Sequence, residues 1–104
     1  MDFSRKRISL HDKEVTLSLW DTAAEQQFRA ITSSYLKSAS GVLILFDLSD
    51  TVSWANAQTV WHELARSFAA VAPCILVGNK SDLAPAVSKE EIAAWCRAKQ
   101  IYFI

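Results

Sequence analysis

Two short apolar runs on either side of a helical pattern constrain the fold of this chain more than any other feature. The run from Gly41 to Phe46 is continuous and ends in Asp47, a pattern typical of a strand buried on both faces of a parallel sheet. The run from Cys74 to Gly78 is of the same kind. Strand, helix and strand in this order predict a right-handed crossover within a parallel sheet. The helix between them has apolar residues at helical spacing, namely Trp54, Ala57, Trp61, Leu64, Ala65 and Phe68.

The remaining patterns complete an α/β fold in the order β-β-α-β-α-β-α-β. Residues 3–10 and 14–20 alternate polar and apolar side chains around a turn at residues 11–13, so the chain opens with a hairpin that places Val15, Leu17 and Leu19 on one face. A weaker helix is expected over 27–37, and either Asp50 or Thr51 serves as N-cap of the long helix. Ser88 and Glu91 form a capping box before the last helix, and residues 101–104 form the last strand. We therefore expect one domain over 1–104, with a mostly parallel sheet and the hairpin at its edge.

The composition excludes several classes of partner. The chain has 11 basic and 11 acidic residues, so no net field attracts nucleic acid or an anionic membrane. No apolar run approaches the roughly 20 residues of a membrane span, and the polar N-terminus has no signal-peptide core, which predicts an intracellular protein. Cys74 and Cys96 are interpreted as small core residues rather than a disulfide or metal pair. His11 and His62 are interpreted as solvated surface residues.

The loop Asn79-Lys80-Ser81-Asp82 follows a predicted strand at its carboxyl end, where open α/β sheets bind ligands. It resembles the Asn-Lys-x-Asp loop of the Ras superfamily, which implies a partial P-loop NTPase fold of the Ras type. The Asp82 carboxylate can accept hydrogen bonds from both the ring N–H and the exocyclic amino group of guanine, a pairing that adenine cannot offer. Asn79 and the aliphatic stem of Lys80 would complete the base pocket.

The segment Trp20-Asp21-Thr22-Ala23-Ala24-Glu25-Gln26-Gln27-Phe28-Arg29 resembles Trp-Asp-Thr-Ala-Gly-Gln-Glu-Arg-Phe-Arg, the signature of Rab-type small GTPases. Asp2-Phe3, residues 28–35 and Trp61 add to this similarity. The resemblance implies a GTP/GDP-controlled switch of vesicle traffic, with Asp21 holding Mg²⁺ through water. It also implies that Phe3, Trp20 and Tyr35 display the nucleotide state to Rab effectors or regulators. The alternative is that these aromatic residues pack in an ordinary core.

Two departures from the family pattern argue against hydrolysis. Ala24 stands where the family has a Gly that approaches the γ-phosphate, and Glu25 stands where a Gln orients the attacking water. A slip of one residue would bring the amide of Gln26 to that place. The chain contains only two glycines and no Gly-x-x-x-x-Gly-Lys-Ser/Thr. We therefore expect a truncated domain without the first strand, the phosphate loop, the switch I threonine and the last base-binding loop, with weak or no binding of GTP/GDP and Mg²⁺ and no hydrolysis.

Two other interpretations stay open. The chain could be a binding module that engages Rab partners without regard to nucleotide, or a fragment with no function by itself. The missing strand leaves a gap in the sheet, which either the hairpin closes by pairing with residues 42–46 or another chain fills, so self-association is possible. The final residues, Ile-Tyr-Phe-Ile, include no cysteine for the lipid anchor through which family members act at endomembranes, so we expect a cytoplasmic chain with no direct membrane anchor.

Overall fold

The hairpin at the start of the chain is formed as the alternation predicts. The computed structural model describes residues 2–22 and 29–104, which group into two compact units: residues 2–22 with 29–32, and residues 33–104. In the first unit β1 (Asp2–Leu10) pairs antiparallel with β2 (Lys13–Asp21). His11 and Asp12 make the two-residue turn, with φ of 50° and 63°. Both residue types enter the left-handed region more readily than most, and two such residues give the turn whose twist matches a hairpin. Lys13, expected in the turn, is instead the first residue of β2.

The second unit contains a three-stranded parallel sheet in the order β3-β4-β5. Its strands are β3 (Val42–Asp47), β4 (Cys74–Asn79) and β5 (Tyr102–Phe103). Helix α1 (Arg29–Leu36) crosses the boundary between the two units, which falls after residue 32. The helices within the second unit are α2 (Thr51–Asn56), α3 (His62–Phe68) and α4 (Lys89–Lys99), and a π-helical turn (Ala57–Trp61) joins α2 to α3. The predicted order of elements is confirmed. None of the helices in residues 2–22 and 29–104 has the length and apolar character needed to cross a bilayer.

Backbone pairing between the described strands gives two sheets, β1-β2 and β3-β4-β5. Closure of the gap by pairing of the hairpin with β3, one of the two ways that we expected, stays a prediction. Filling of that gap by another chain stays a prediction, which light scattering over a concentration series would test.

The core of the second unit lies on one face of the parallel sheet. Ile44, Phe46 and Leu76 point to this face, and residues of the helical segments cover them. Leu43 and Leu45, on the opposite face of β3, are 59% and 54% exposed. The expectation that this strand is buried on both faces is wrong for these residues, because the helical residues of the core cluster pack, within the described part of the chain, on the face of Ile44. The buried residues that complete the core are Trp54, Ala57, Val87, Ile92 and Cys96.

The π-helical turn changes which side chains of the long helical segment face the core. Asp50 is the N-cap, and its side chain accepts a hydrogen bond from the amide of Val52, which decides between the two predicted caps. The buried positions are then Trp54, Ala57, His62 and Ala65. The step from 57 to 62 is the five-residue spacing of a π-helix. His62 is only 2% exposed, so its interpretation as a surface residue is wrong.

The His62 ring packs edge-on against Trp95, with centroids 4.9 Å apart. Its Nδ1 has no hydrogen-bond partner among the described residues. Burial lowers the pKa of the imidazole below its ordinary value, and the charges of Lys99 and Arg66 lower it further against the opposing charge of Glu63. The ring is therefore held in its neutral form near neutral pH.

Helix α4 begins and ends with capping residues. Ser88 Oγ accepts from the amide of Glu91 at 3.1 Å, which is the N-cap half of the predicted capping box. The Glu91 side chain accepts from Trp54 Nε1 at 2.6 Å, which joins α2 to α4.

Both cysteines are free thiols, and burial raises the pKa of each, which agrees with structural rather than reactive residues.

Candidate functional site

The predicted guanine loop leaves the carboxyl end of β4. Asp47 and Asn79 are paired in register at the ends of β3 and β4, so both strands finish at the same edge of the sheet. The amide of Leu48 donates to the carbonyl of Asn79 at 3.1 Å and extends this contact into the loop. Polar groups therefore collect where ligands of parallel sheets bind.

Lys80 gives the loop its shape. Its backbone is left-handed, with φ of 60°, which costs a residue with a side chain about 1–2 kcal/mol. The amide of Leu83 donates to the carbonyl of Lys80 at 3.0 Å and closes a tight turn over residues 80–83. The backbone hydrogen bonds on both sides of Lys80 thus offset an unfavourable local conformation.

Gly78 lets the loop approach the sheet. A Cβ built at this position would lie 2.8 Å from Leu48 Cδ2 and 3.2 Å from Phe103 Cε1. The amide of Gly78 donates to the carbonyl of Ile104 at 2.9 Å, which holds the strand against the last residue of the chain. Any larger residue would push Leu48 away from the base of the loop.

Asp47 is a residue of this edge that the sequence analysis did not include in the site. Its Oδ2 lies 3.1 Å from Lys80 Nζ. Its Oδ1 accepts from the hydroxyl of Ser49 at 2.6 Å and from the amide of Ser49 at 2.8 Å. These hydrogen bonds, with a smaller contribution from Lys80, hold the pKa of the Asp47 carboxyl below its ordinary value despite partial burial. A carboxylate directly after a buried strand was the signal that could have identified it.

The three predicted base-reading residues share this loop and are all exposed. Asn79 ends β4, Lys80 forms the left-handed position, and Asp82 lies inside the closed turn. A carboxylate in that position can offer two acceptor oxygens to a planar base approaching from solvent. The geometry is thus compatible with recognition of a base edge that presents two neighbouring donors.

The predicted phosphate and metal residues are not brought together in the described part of the chain. Asp21 is the last residue of β2, exposed, and in register with Asp2. Ala24 and Glu25 lie outside the described residues. No group of three or more His, Cys, Asp or Glu side chains within 2–22 and 29–104 could hold a metal ion. A single exposed carboxylate suits a water-mediated contact to Mg²⁺ but cannot bind the ion alone.

Two of the three predicted effector residues form a pair on the hairpin. Phe3 and Trp20 are cross-strand partners, with ring centroids 4.2 Å apart and planes inclined by 37°. Their side chains are 43% and 46% exposed, so ordinary core packing does not describe them. The Arg5 guanidinium lies 5.3 Å from the centroid of the Phe3 ring. Tyr35 lies in α1, half-buried, within the other compact unit.

Comparison with known proteins agrees with the motifs. The Ras family model matches residues 1–104. The Ras-related protein RABA6b of Arabidopsis thaliana is 34% identical over 106 aligned positions, covering 100% of this chain and 46% of the relative. Rab-1A of Dictyostelium discoideum is 39% identical over 83 positions, covering 80% of the chain and 41% of the relative. Rab-11C of the same organism is 34% identical, covering 100% and 47%. The chain thus spans about half the length of the curated relatives it matches, and it belongs to the Ras family, among its Rab-related small GTPases.

Proposed function

We propose that this chain supplies the guanine-recognition loop and the switch segment of a Rab-type GTP/GDP-dependent switch of vesicle traffic, acting in the cytoplasm at endomembranes. The observation that carries the proposal is the turn over residues 80–83, which the amide of Leu83 closes onto the carbonyl of Lys80 just after the carboxyl end of a parallel strand. A loop in that place with an exposed carboxylate suits a base with two neighbouring donors.

Base selection follows from the chemistry of Asp82. Guanine presents a ring N–H and an amino group side by side, so one carboxylate can accept both in charge-assisted hydrogen bonds. Adenine presents a ring acceptor there, which would leave the carboxylate unpaired and repelled. The loss on exchanging the bases is about 1–3 kcal/mol, the usual cost of an unsatisfied polar group. The stem of Lys80 would cover one face of the base, and Asn79 would hold the loop backbone.

These 104 residues offer fewer groups that could bind the phosphates of the nucleotide than groups that could bind its base. Backbone N–H groups, a lysine and Mg²⁺ supply most of the triphosphate affinity at P-loop sites, and no such glycine-rich motif occurs in the sequence. When bound with nucleotide, Mg²⁺ would neutralise phosphate charge, and Asp21 would contact it through water. We expect this polypeptide to bind guanine nucleotides with a Kd at the millimolar level, which corresponds to a binding free energy of about 4 kcal/mol.

Hydrolysis is expected to be undetectable for a reason inside the switch segment. The Glu25 carboxylate cannot donate a hydrogen bond as the family's amide does, and its charge repels the γ-phosphate. The Cβ of Ala24 restricts the approach of the backbone to the same group. Measuring phosphate release from GTP with Mg²⁺ checks this expectation, and turnover by the polypeptide would overturn it.

The base assignment is tested by titrating the isotope-labelled 104-residue polypeptide with GMP and AMP and following its amide NMR shifts. We expect saturable shifts at residues 79–83 with GMP and weaker ones with AMP. Asp82→Asn should lose this preference and gain affinity for xanthosine monophosphate, because its amide can donate to the second ring carbonyl. Asp12→Asn, in the hairpin turn, is the matched control and should bind as the unaltered chain does. Equal response to GMP and AMP, an unaffected Asp82→Asn, or submicromolar affinity would contradict the proposal.

A second candidate function is a protein-binding module that ignores nucleotide. The exposed Phe3 and Trp20 pair favours it, since solvent-exposed aromatic pairs are suited to interfaces. Binding of Rab effectors or regulators to the immobilised chain, measured with GTP, with GDP and without nucleotide, separates the two functions. Equal binding in all three conditions, lost in Trp20→Ala, would select the module.

A further inference from the structure

We infer that Asp47 is a positioning residue of the guanine loop, which holds Lys80 in its base-covering arrangement before nucleotide binds. The inference rests on the proposed function and extends it, because Asp47 belongs to β3 rather than to the recognition loop. Its role would be exerted through Lys80, without contact to the nucleotide.

The first step of the argument is that Lys80 needs to be held. Its backbone occupies the left-handed region, and its side chain is more than half exposed. A long, exposed lysine normally samples many rotamers, and ordering it on binding opposes affinity. The contact of 3.1 Å between Lys80 Nζ and Asp47 Oδ2 restricts that freedom in advance.

The second step is that Asp47 is itself fixed. Oδ1 accepts two hydrogen bonds from Ser49, and the amide of Asp47 donates to Ser53 Oγ at 2.9 Å. One carboxylate oxygen is thus tied to the chain that follows β3, while the other faces Lys80. The ladder partner of Asp47 is Asn79, so backbone and side chain connect the same two segments.

An exposed ion pair without functional effect is the competing explanation, since many such pairs contribute little. A double-mutant cycle separates the two, using Asp47→Asn, Lys80→Met and the combination, with the affinity for GMP relative to AMP as readout. Methionine keeps an apolar stem without the charge. We expect Asp47→Asn to weaken GMP binding about threefold in the unaltered chain and to have no further effect beside Lys80→Met.

The control is Asp50→Asn, a neighbouring carboxylate that caps α2 through the amide of Val52. Asparagine caps helices as well as aspartate does, so this variant changes the charge without loosening the helix. It should bind GMP as the unaltered chain does. Equal losses in both variants, or additive losses in the cycle, would overturn the inference.

A measurement without nucleotide keeps this inference distinguishable from the proposed function. Hydrogen exchange of the Leu83 amide, which donates to the carbonyl of Lys80, reports whether the turn is closed. We expect exchange to become about threefold faster in Asp47→Asn and to stay unchanged in Asp50→Asn. If the unaltered chain fails to bind GMP, the proposed function and the role in base binding both fail. If it binds but Leu83 exchange does not respond to Asp47→Asn, only the positioning role fails.

Discussion

Gly78→Ala tests how closely the proposed guanine loop must approach the sheet. The added Cβ would lie 2.8 Å from Leu48 Cδ2, 3.1 Å from Leu48 Cγ and 3.2 Å from Phe103 Cε1. Carbon atoms in good contact are about 3.5–4.0 Å apart, so both neighbours must move by several tenths of an ångström. The amide of Leu48 also donates a hydrogen bond to the carbonyl of Asn79, so displacement of Leu48 would reach the loop proposed to read the base.

The size of the effect follows from two opposing contributions. Overpacking of this kind costs about 1–3 kcal/mol, while replacing glycine by alanine restricts the unfolded chain and returns about 0.4–1 kcal/mol. We expect a net loss of about 1–2 kcal/mol for Gly78→Ala. Gly41→Ala is the matched control, because its Cβ would meet only Pro73 O at an ordinary 3.7 Å. That variant should gain up to about 1 kcal/mol.

The assay is urea denaturation followed by tryptophan fluorescence, since three of the four tryptophans lie in residues 33–104. A change in midpoint at constant slope measures the change in stability. Leu48→Ala in the Gly78→Ala background removes the nearest atoms, so the combined loss should be smaller than the sum of the two single losses. Equal midpoints for the two glycine variants, or strictly additive losses in the double variant, would refute the packing argument.

Three further predictions concern side chains of the second unit. Glu91→Ala should cost about 1–3 kcal/mol in urea denaturation, because it leaves the indole N–H of buried Trp54 without its acceptor. The free energy of unfolding should fall as the pH drops through 6.5, since the unfolded chain takes up a proton on His62 more readily than the folded chain, whose pKa is lowered. His62→Gln should remove this part of the pH dependence. Gln100→Gly should stabilise the chain by about 0.5 kcal/mol, because Gln100 ends α4 with a left-handed φ of 58°.

Each of these changes has a control in an exposed or ordinary helical setting. Loss of stability in Glu90→Ala, the control for Glu91→Ala, would contradict the argument about the Trp54 hydrogen bond. An unchanged pH profile in His62→Gln would contradict the argument about the buried histidine. Destabilisation by Gln100→Gly would contradict the argument about the left-handed residue. The control for Gln100→Gly should instead cost about 0.5–1 kcal/mol, as glycine does inside helices. The controls are Glu90→Ala, His11→Gln and Ala98→Gly.

The order of elements could be predicted from sequence because each pattern is local. Alternating polar and apolar residues predict the hairpin, and continuous apolar runs predict β3 and β4. Ser88, followed three residues later by Glu91, predicts the start of α4. Burial was less predictable. The run of residues 42–46 predicts a strand covered on both faces, yet Leu43 and Leu45 are exposed because coverage depends on which elements pack against the sheet.

His62 shows why a regular helical period fails at a π-helical turn. A strict period of 3.6 residues carries the apolar face from Ala57 to Trp61. The π-helical turn adds one residue, so the next side chain on the buried face of the segment after Ala57 is His62, which is therefore buried. No residue in this segment marks the insertion as a proline marks a kink. The titration expected for His62 therefore follows from the structure and could not be inferred from the sequence pattern.

The candidate site divides in the same way between local and distant information. Asn79, Lys80 and Asp82 are adjacent in sequence, so a four-residue motif suffices to find them. Asp47 lies on another strand and reaches Lys80 only because parallel pairing brings the ends of β3 and β4 together. A motif identifies the groups proposed to read the base, whereas strand register determines that Asp47 lies beside Lys80. The loop therefore depends on the ends of two strands, and a substitution at Asp47 in β3 should affect the proposed guanine recognition as a substitution beside the motif does.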